Sequence, residues 1–70
     1  MEVRRRLAAN MKRLRKAKGW SQEVLADAAG VDRTYVSGIE RLVRNPTITV
    51  LERIAQALET PAGHLLDPPT

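Results

Sequence analysis

The stretch that decides the fold is WSQEVLADAAGVDRTYVSGIER, residues 20–41. Ser21 is a residue type that caps helix N-termini, and it predicts a short helix over residues 22–29. Asp32 predicts a third helix in the same way, over about residues 33–42. An apolar residue stands before each cap, as in a hydrophobic staple. Two short capped helices in direct succession are therefore expected.

The turn between these helices predicts how they pack. Gly30 can adopt a left-handed conformation without steric cost, and Ala26, four residues earlier, leaves room for a close helix crossing. The remaining inward positions are apolar: Leu25, Ala29, Val31, Val36 and Ile39. This pattern over residues 22–41 predicts a helix-turn-helix, whose second helix can lie in a DNA major groove. The alternative is a plain helical hairpin with incidental spacing.

Three more helices are predicted around this pair. The first covers residues 3–18, with one apolar stripe and a terminating Gly19. A fourth begins at Thr47 or Thr49, where Thr49 and Glu52 fit a capping box. Thr60 caps a last short helix that has Pro61 at its first position. We therefore predict an all-α fold, a compact five-helix domain over residues 1–70 with its core at about 7–66.

Composition excludes several classes of function. The 70 residues contain no cysteine and one histidine, His64, so disulfides, metal clusters and thiol or histidine catalysis find no support. We expect no enzymatic activity, no cofactor, no metal and no small-molecule ligand. Without a membrane-spanning or signal sequence in the chain, we expect a cytoplasmic protein.

Positive charge is concentrated at one end of the chain. Eight of the twelve lysines and arginines lie within residues 1–20. Such a basic end suits a polyanionic partner, although basic faces are often only solvated. Within it, Arg4, Arg5 and Arg6 are expected to give general attraction at most.

The motifs resemble a known family. SQEVLADAAGVDRTYVSGIER, followed by NPT and VLERIAQAL, resembles the phage Cro and repressor (XRE) family of helix-turn-helix regulators. DRTYVSGIER looks especially like the controller proteins of restriction–modification systems. The resemblance covers about residues 11–66 and implies a lambda-repressor-like domain that dimerises and binds a symmetric operator in double-stranded DNA. One departure is Leu42, where the family usually has glycine.

The resemblance implies roles for exposed residues of the helix-turn-helix. Arg33 and Thr34 are expected nearest the base edges, and Ser37 also lies on the exposed side. Tyr35 either contacts DNA or packs its ring on the second helix. The candidates for phosphate contact are Ser21, Gln22, Arg41, Arg44 and Asn45, although Ser21 is primarily a cap.

Five further residues have predicted structural roles. The family pairs a partly buried arginine and glutamate at Arg15 and Glu40, which orients the recognition helix. Gly38, expected at an exposed position, either lets the backbone approach DNA closely or is merely tolerated. Leu65 and Leu66 lie on a helix that is expected to be too short to bury both in its own domain, which predicts a homodimer interface there.

Two other functions remain open on the sequence. The first is an antitoxin-like protein-interaction subunit that also binds DNA, which would be expected to carry a toxin-binding tail. Within residues 1–70 we expect no such segment. The second is RNA binding, which is less favoured because the sequence offers no pair of exposed aromatic residues for stacking bases.

Overall fold

The computed structural model describes residues 2–68, which form four α-helices and one 3₁₀ helix without a strand. The helices are α1 (Val3–Ala17), α2 (Gln22–Ala29), α3 (Arg33–Glu40), α4 (Ile48–Ala57) and the C-terminal 3₁₀ helix (Ala62–Leu66). The all-α prediction is confirmed. Met1, Pro69 and Thr70 lie outside the described residues, and so do the predicted domain boundaries at 1 and 70.

The helix-turn-helix forms as its caps predict. Ser21 Oγ accepts a hydrogen bond from the Val24 amide at 3.1 Å. Gly30 ends α2 in the left-handed conformation, with φ at 71°. The Val31 amide then donates to the Ala26 carbonyl at 3.0 Å, which closes the turn and sets the direction in which α3 leaves.

The end of α3 differs from the prediction. The helix ends at Glu40, two residues earlier than expected, because Leu42 adopts the left-handed conformation with φ at 65°. Its amide donates to the Ile39 carbonyl at 3.1 Å, and the Val43 amide donates to the Gly38 carbonyl at 2.9 Å. Leu42 thus adopts a left-handed backbone conformation. This conformation costs leucine roughly 1–2 kcal/mol, whereas glycine adopts it without cost.

Of the two candidate caps for the fourth helix one is confirmed, and the predicted cap of the last helix is wrong. Thr47, one of the two candidates, caps α4 by accepting the Val50 amide at 3.1 Å, so Thr49 lies inside the helix and the Thr49–Glu52 capping box does not form. Thr60 does not cap the last helix, because its amide still belongs to the end of α4 and donates to the Ala55 carbonyl at 3.0 Å. Pro61 instead precedes a 3₁₀ helix that has no side-chain cap.

The core is aliphatic and includes a leucine that we expected at the surface. It is formed by Leu7, Met11, Leu25, Ala26, Ala29, Val36, Ile39, Ile54, Ala55, Leu58 and Leu65. Leu65 is 0% exposed, since the 3₁₀ helix packs against both α1 and α4. The expectation that Leu65 forms a dimer interface is therefore wrong, because one short helix suffices to bury it. Leu66 is half-buried.

A buried amide, which the sequence analysis missed, fixes the C-terminal segment to α1. Asn10 is 1% exposed, and its Nδ2 donates to the carbonyls of Leu65 at 2.9 Å and Asp67 at 2.8 Å. Arg6 Nε adds a bond to the Leu66 carbonyl at 2.7 Å. These bonds satisfy carbonyls at the end of the 3₁₀ helix that have no partner within it. The signal in the sequence was a polar residue on the apolar stripe of α1, three residues after Leu7.

Candidate nucleic-acid interface

A buried ion pair connects two of the helices around the site, α1 and α3. Arg15 Nε and Nη2 each donate to one carboxylate oxygen of Glu40 at 2.9 Å, and the two side chains are only 10% and 2% exposed. Arg15 Nη1 also donates to the Trp20 carbonyl at 2.9 Å. The hydrogen bond to Glu40, followed by its charge, raises the pKa of Arg15. The pair that the resemblance implied therefore forms, and it joins α1 to the end of α3.

Gln22 extends this cluster to the start of α2. Its Nε2 donates to Glu40 Oε1 at 3.1 Å, so one polar end of the amide is held within the protein. The residue remains half-buried at the first position of the helix, beside the exposed cap residue Ser21. Gln22 thus reaches the surface from a fixed position, which suits a contact that sets the register on a DNA backbone.

The start of α3 is held by Asp32. Its Oδ1 accepts both the amide of Thr34 at 2.8 Å and the Thr34 hydroxyl at 2.6 Å. These bonds, the one from the hydroxyl above all, lower the pKa of Asp32. Arg33 stands exposed at the first position of the helix, and Ser37, one turn later on the same side, is half-buried.

Tyr35 contacts the loop that follows α3. Its hydroxyl donates to the Asn45 carbonyl at 3.3 Å, and its ring faces Arg44, whose guanidinium carbon lies 5.6 Å from the ring centroid. The ring is half-buried at the edge of the core. Tyr35 is therefore held between α3 and the loop, where its outer edge remains at the surface.

Gly38 is buried, although we expected it to be exposed. The methylene groups of Arg44 cover it, and its carbonyl accepts the amides of both Val43 and Arg44. The neighbour that approaches this glycine closely is thus a side chain of the same protein. Arg41 and Asn45, the other candidates for phosphate contact, are exposed.

A basic flank of α1 lies beside this surface. The cations Arg5, Lys12, Arg13 and Lys16 line an open groove of about 460 Å³ together with Ala8, Ala9, Glu40 and Leu42. The groove adjoins the cluster of Arg15, Glu40 and Gln22 through Glu40. Part of the positive charge that the sequence concentrates in residues 1–20 thus lies on one side of α1.

Two other kinds of site are not found in residues 2–68. No three His, Asp or Glu side chains in that range are grouped as a metal site would need. None of the helices within it has the length and apolar character to cross a membrane. The surface around α3 is thus the candidate that the described part of the chain offers.

A comparison with family models identifies the chain. The model described as "Helix-turn-helix" matches residues 11–65. The chain belongs to this helix-turn-helix family. The match includes α2 and α3, the two helices that the caps at Ser21 and Asp32 predicted. It also includes both partners of the buried ion pair.

A hypothetical transcription factor from Neisseria meningitidis is one relative of this helix-turn-helix chain. The two are 48% identical over 68 residues, which cover 97% of this chain and 64% of the relative. The chain thus spans just under two thirds of that protein. The crystal structure of this factor superposes with a TM-score of 0.93, covering 97% of this chain and 78% of the crystallised one.

Two further solved structures contain DNA. The controller protein C.Esp1396I, bound to a 19 base pair duplex, has a TM-score of 0.82 and 40% identity, over 93% of this chain and 87% of that one. The regulator SinR of Bacillus subtilis, in complex with DNA, has a TM-score of 0.82 and 40% identity, over 87% of this chain and 98% of that one. The resemblance to helix-turn-helix regulators and controller proteins is confirmed.

Proposed function

We propose that this protein is a transcriptional regulator that binds a symmetric operator in double-stranded DNA as a homodimer. The observation that carries the proposal is the presentation of α3: Arg33 is exposed at its start, while the bonds of Arg15 and Gln22 to Glu40 fix its end. A rigidly held helix with an exposed N-terminus fits the docking of a recognition helix in a major groove. That C.Esp1396I and SinR were solved with DNA supports the same function.

The proposal extends to how and where the protein works. A regulator of this kind acts by binding, so we propose no catalytic step and no cofactor. We place it in the cytoplasm, since that is where a bacterial operator would be available to it. Whether it represses or activates depends on the position of the operator relative to the promoter.

We propose a division of roles among the exposed residues. Arg33 contacts base edges because it opens α3, and Thr34, Tyr35 and Ser37 lie beside it on the same helix. Contacts to phosphate come from the start of α2 and from the end of α3 with its loop: Ser21, Gln22, Arg41, Arg44 and Asn45. Bases and backbone are thus contacted by different parts of one surface.

Replacing Arg33 with alanine should relax sequence preference. A bidentate contact between arginine and guanine discriminates by about 1–3 kcal/mol, so operator affinity should fall by roughly 5–150-fold per half-site. Binding to a scrambled duplex should change little. Titrations of matched operator and scrambled duplexes measure the difference, and circular dichroism verifies that the variant folds.

Arg44→Ala and Gln22→Ala are the matched comparisons. Arg44→Ala should weaken both duplexes alike and make binding less steep in salt, by about 0.9 in the logarithmic slope for each phosphate that is no longer neutralised. Gln22→Ala should weaken both duplexes with little change in slope, since the side chain is neutral. An equal loss of affinity for both duplexes in Arg33→Ala would show that Arg33 contacts phosphate, and the assignment would be wrong.

A different surface from the predicted one is proposed for the homodimer, because Leu65 is internal. Ile48, at the start of α4, is 87% exposed, and Leu51 one turn later lines a mainly apolar groove whose rim includes Glu2, Arg4 and Asn45. Val3, Pro46 and Leu66 line the same groove. In a symmetric dimer this apolar surface would meet its own copy. Leu66 therefore stays in the proposed interface, at its edge.

Replacing Ile48 with aspartate should separate the subunits without unfolding them. The side chain is exposed in the monomer, so the fold loses little, whereas a charge placed in an apolar interface opposes association. Sedimentation measures the change, with Val24→Asp as the control because Val24 is also exposed, at 43%, on a different helix. A wild-type protein that sediments as a monomer at micromolar concentration, with and without DNA, would contradict the dimer.

A further inference from the structure

We infer that Gly38 is a positioning residue: its missing side chain sets the place of Arg44 on the outward face of α3. The inference rests on the proposed function, in which Arg44 contacts DNA. It adds a residue that makes no such contact itself, since Gly38 is buried beneath Arg44. The geometry between α3 and the loop of residues 42–45 supports this role.

The space above Gly38 is taken by the stem of Arg44. A Cβ added to Gly38 would lie 2.8 Å from Arg44 Cγ, 2.9 Å from Cδ and 3.2 Å from Cβ. Carbon atoms in favourable contact are about 3.5–4.0 Å apart, so all three distances are too short. The atoms concerned are the first three of the side chain and not its mobile tip. Any residue other than glycine would therefore force Arg44 to a new rotamer or shift the loop.

The same glycine also fixes the backbone of the loop. Its carbonyl accepts the amide of Val43 at 2.9 Å and that of Arg44 at 3.1 Å. Tyr35 holds the other side, with its ring facing the Arg44 guanidinium and its hydroxyl bonded to the Asn45 carbonyl. Arg44 is thus seated between Gly38 and Tyr35, which lie three residues apart on α3.

Helical spacing places Gly38, and the Arg44 stem that covers it, on the outward side of α3. Position 38 lies one turn after Thr34 and three residues before Arg41, and all three share one face. Thr34 and Arg41 are exposed, whereas position 38 is covered. On this face of α3, position 38 contributes no side chain, and the side chain of Arg44 from the loop occupies the space. Glycine weakens a helix relative to alanine, so its presence here is better explained by this contact than by helix stability.

The first test is independent of DNA. In the wild type the Arg44 guanidinium carbon lies 5.6 Å from the centroid of the Tyr35 ring, so the NMR resonances of the Arg44 protons nearest the ring should be shifted upfield. Gly38→Ala should return these resonances toward ordinary values, because the methyl group displaces the stem. Gly63→Ala is the matched control, since a Cβ there would meet nothing within 4 Å. Unchanged Arg44 resonances in Gly38→Ala would overturn the inference.

The second test uses DNA binding and a double variant. Gly38→Ala and Arg44→Ala should each weaken binding by about tenfold, the size expected of one hydrogen bond to a charged group. Gly38→Ala should not melt at a lower temperature than the control, because alanine favours the helix. If Gly38 acts through Arg44, the double variant should bind no more weakly than Arg44→Ala alone.

Two results of this binding experiment would contradict us in different ways. Effects that add in the double variant would show that Gly38 acts independently of Arg44, which overturns the inference. An Arg44→Ala variant that binds DNA as the wild type does would overturn the proposed contact between Arg44 and DNA. The position of Arg44 between Gly38 and Tyr35 would then have no effect on binding. The NMR result would still show whether Gly38 determines the position of the Arg44 side chain, so the two failures are distinguishable.

Discussion

Glu40→Ala is expected to lower the free energy of unfolding by roughly 3–5 kcal/mol, the cost of leaving one partner of a buried ion pair behind. The carboxylate accepts two hydrogen bonds from Arg15 and one from Gln22, and its side chain is 2% exposed. Its removal strands the guanidinium of Arg15, which is only 10% exposed, in a desolvated position. In a domain of 70 residues such a loss is a large part of the whole stability, so the variant should unfold at a markedly lower temperature and urea concentration than the wild type.

The double variant Arg15→Met with Glu40→Leu is the matched control. Removing both charges leaves no unpaired ion, so it should be considerably more stable than Glu40→Ala. Thermal and urea unfolding followed by circular dichroism measure all three proteins. If Glu40→Ala lost less than about 1 kcal/mol, the size expected of a solvated surface pair, the ion pair could not be what fixes α3.

Leu65→Ala should destabilise the monomer by about 2–5 kcal/mol, the usual cost of truncating a fully buried leucine. Leu65 is 0% exposed within one chain, and it anchors the 3₁₀ helix against α1 and α4. Leu66→Ala, one residue later, should cost clearly less because Leu66 is half-buried. Urea unfolding gives both values, and the slopes should agree if only stability has changed.

The same two variants, Leu65→Ala and Leu66→Ala, distinguish a core residue from a residue at the dimer interface. The stability loss in Leu65→Ala should be independent of protein concentration, since the cavity lies inside one chain. The effect of Leu66→Ala should depend on concentration, because the residue borders the proposed dimer surface. A Leu65→Ala protein that stays as stable as the wild type but dissociates would instead favour the interface that the sequence predicts at Leu65.

The sequence predicted what depends on local chemistry. Ser21, Asp32 and Gly30 act through hydrogen bonds and backbone conformations within a few residues, so the helix-turn-helix could be placed from them. Where two caps were available, local rules were insufficient: Thr49 and Glu52 fit a capping box, but Thr47 caps α4. Both threonines satisfy the local rule for a cap, so the residue types alone do not decide between them.

What the sequence could not predict depends on contacts between distant residues. Leu65 is buried because the 3₁₀ helix turns back onto α1, where Asn10 bonds to the Leu65 carbonyl across 55 positions of sequence. Gly38 is buried because the chain returns at Leu42 and lays Arg44 across α3. Helical spacing within α3 alone placed Gly38 at the surface, and the shortness of the last helix alone placed Leu65 there, because neither criterion considers packing against other elements.

The Arg15–Glu40 pair shows what a family resemblance adds. Arg15 and Glu40 lie 25 positions apart on separate helices, and only the resemblance paired them. The structure adds Gln22, which no spacing argument connected to Glu40. A residue expected only to touch phosphate thus also belongs to the cluster that fixes α3.

Selection of bound sequences from a random pool of duplex DNA tests the central claim most directly. We expect an enriched motif of two inverted half-sites with their centres about 34–36 Å apart, or a multiple of that distance. A parallel selection with Arg33→Ala should lose the preference at one symmetric position and keep the rest of the motif. No enrichment by the wild-type protein, or the same motif from both proteins, would contradict sequence recognition through Arg33.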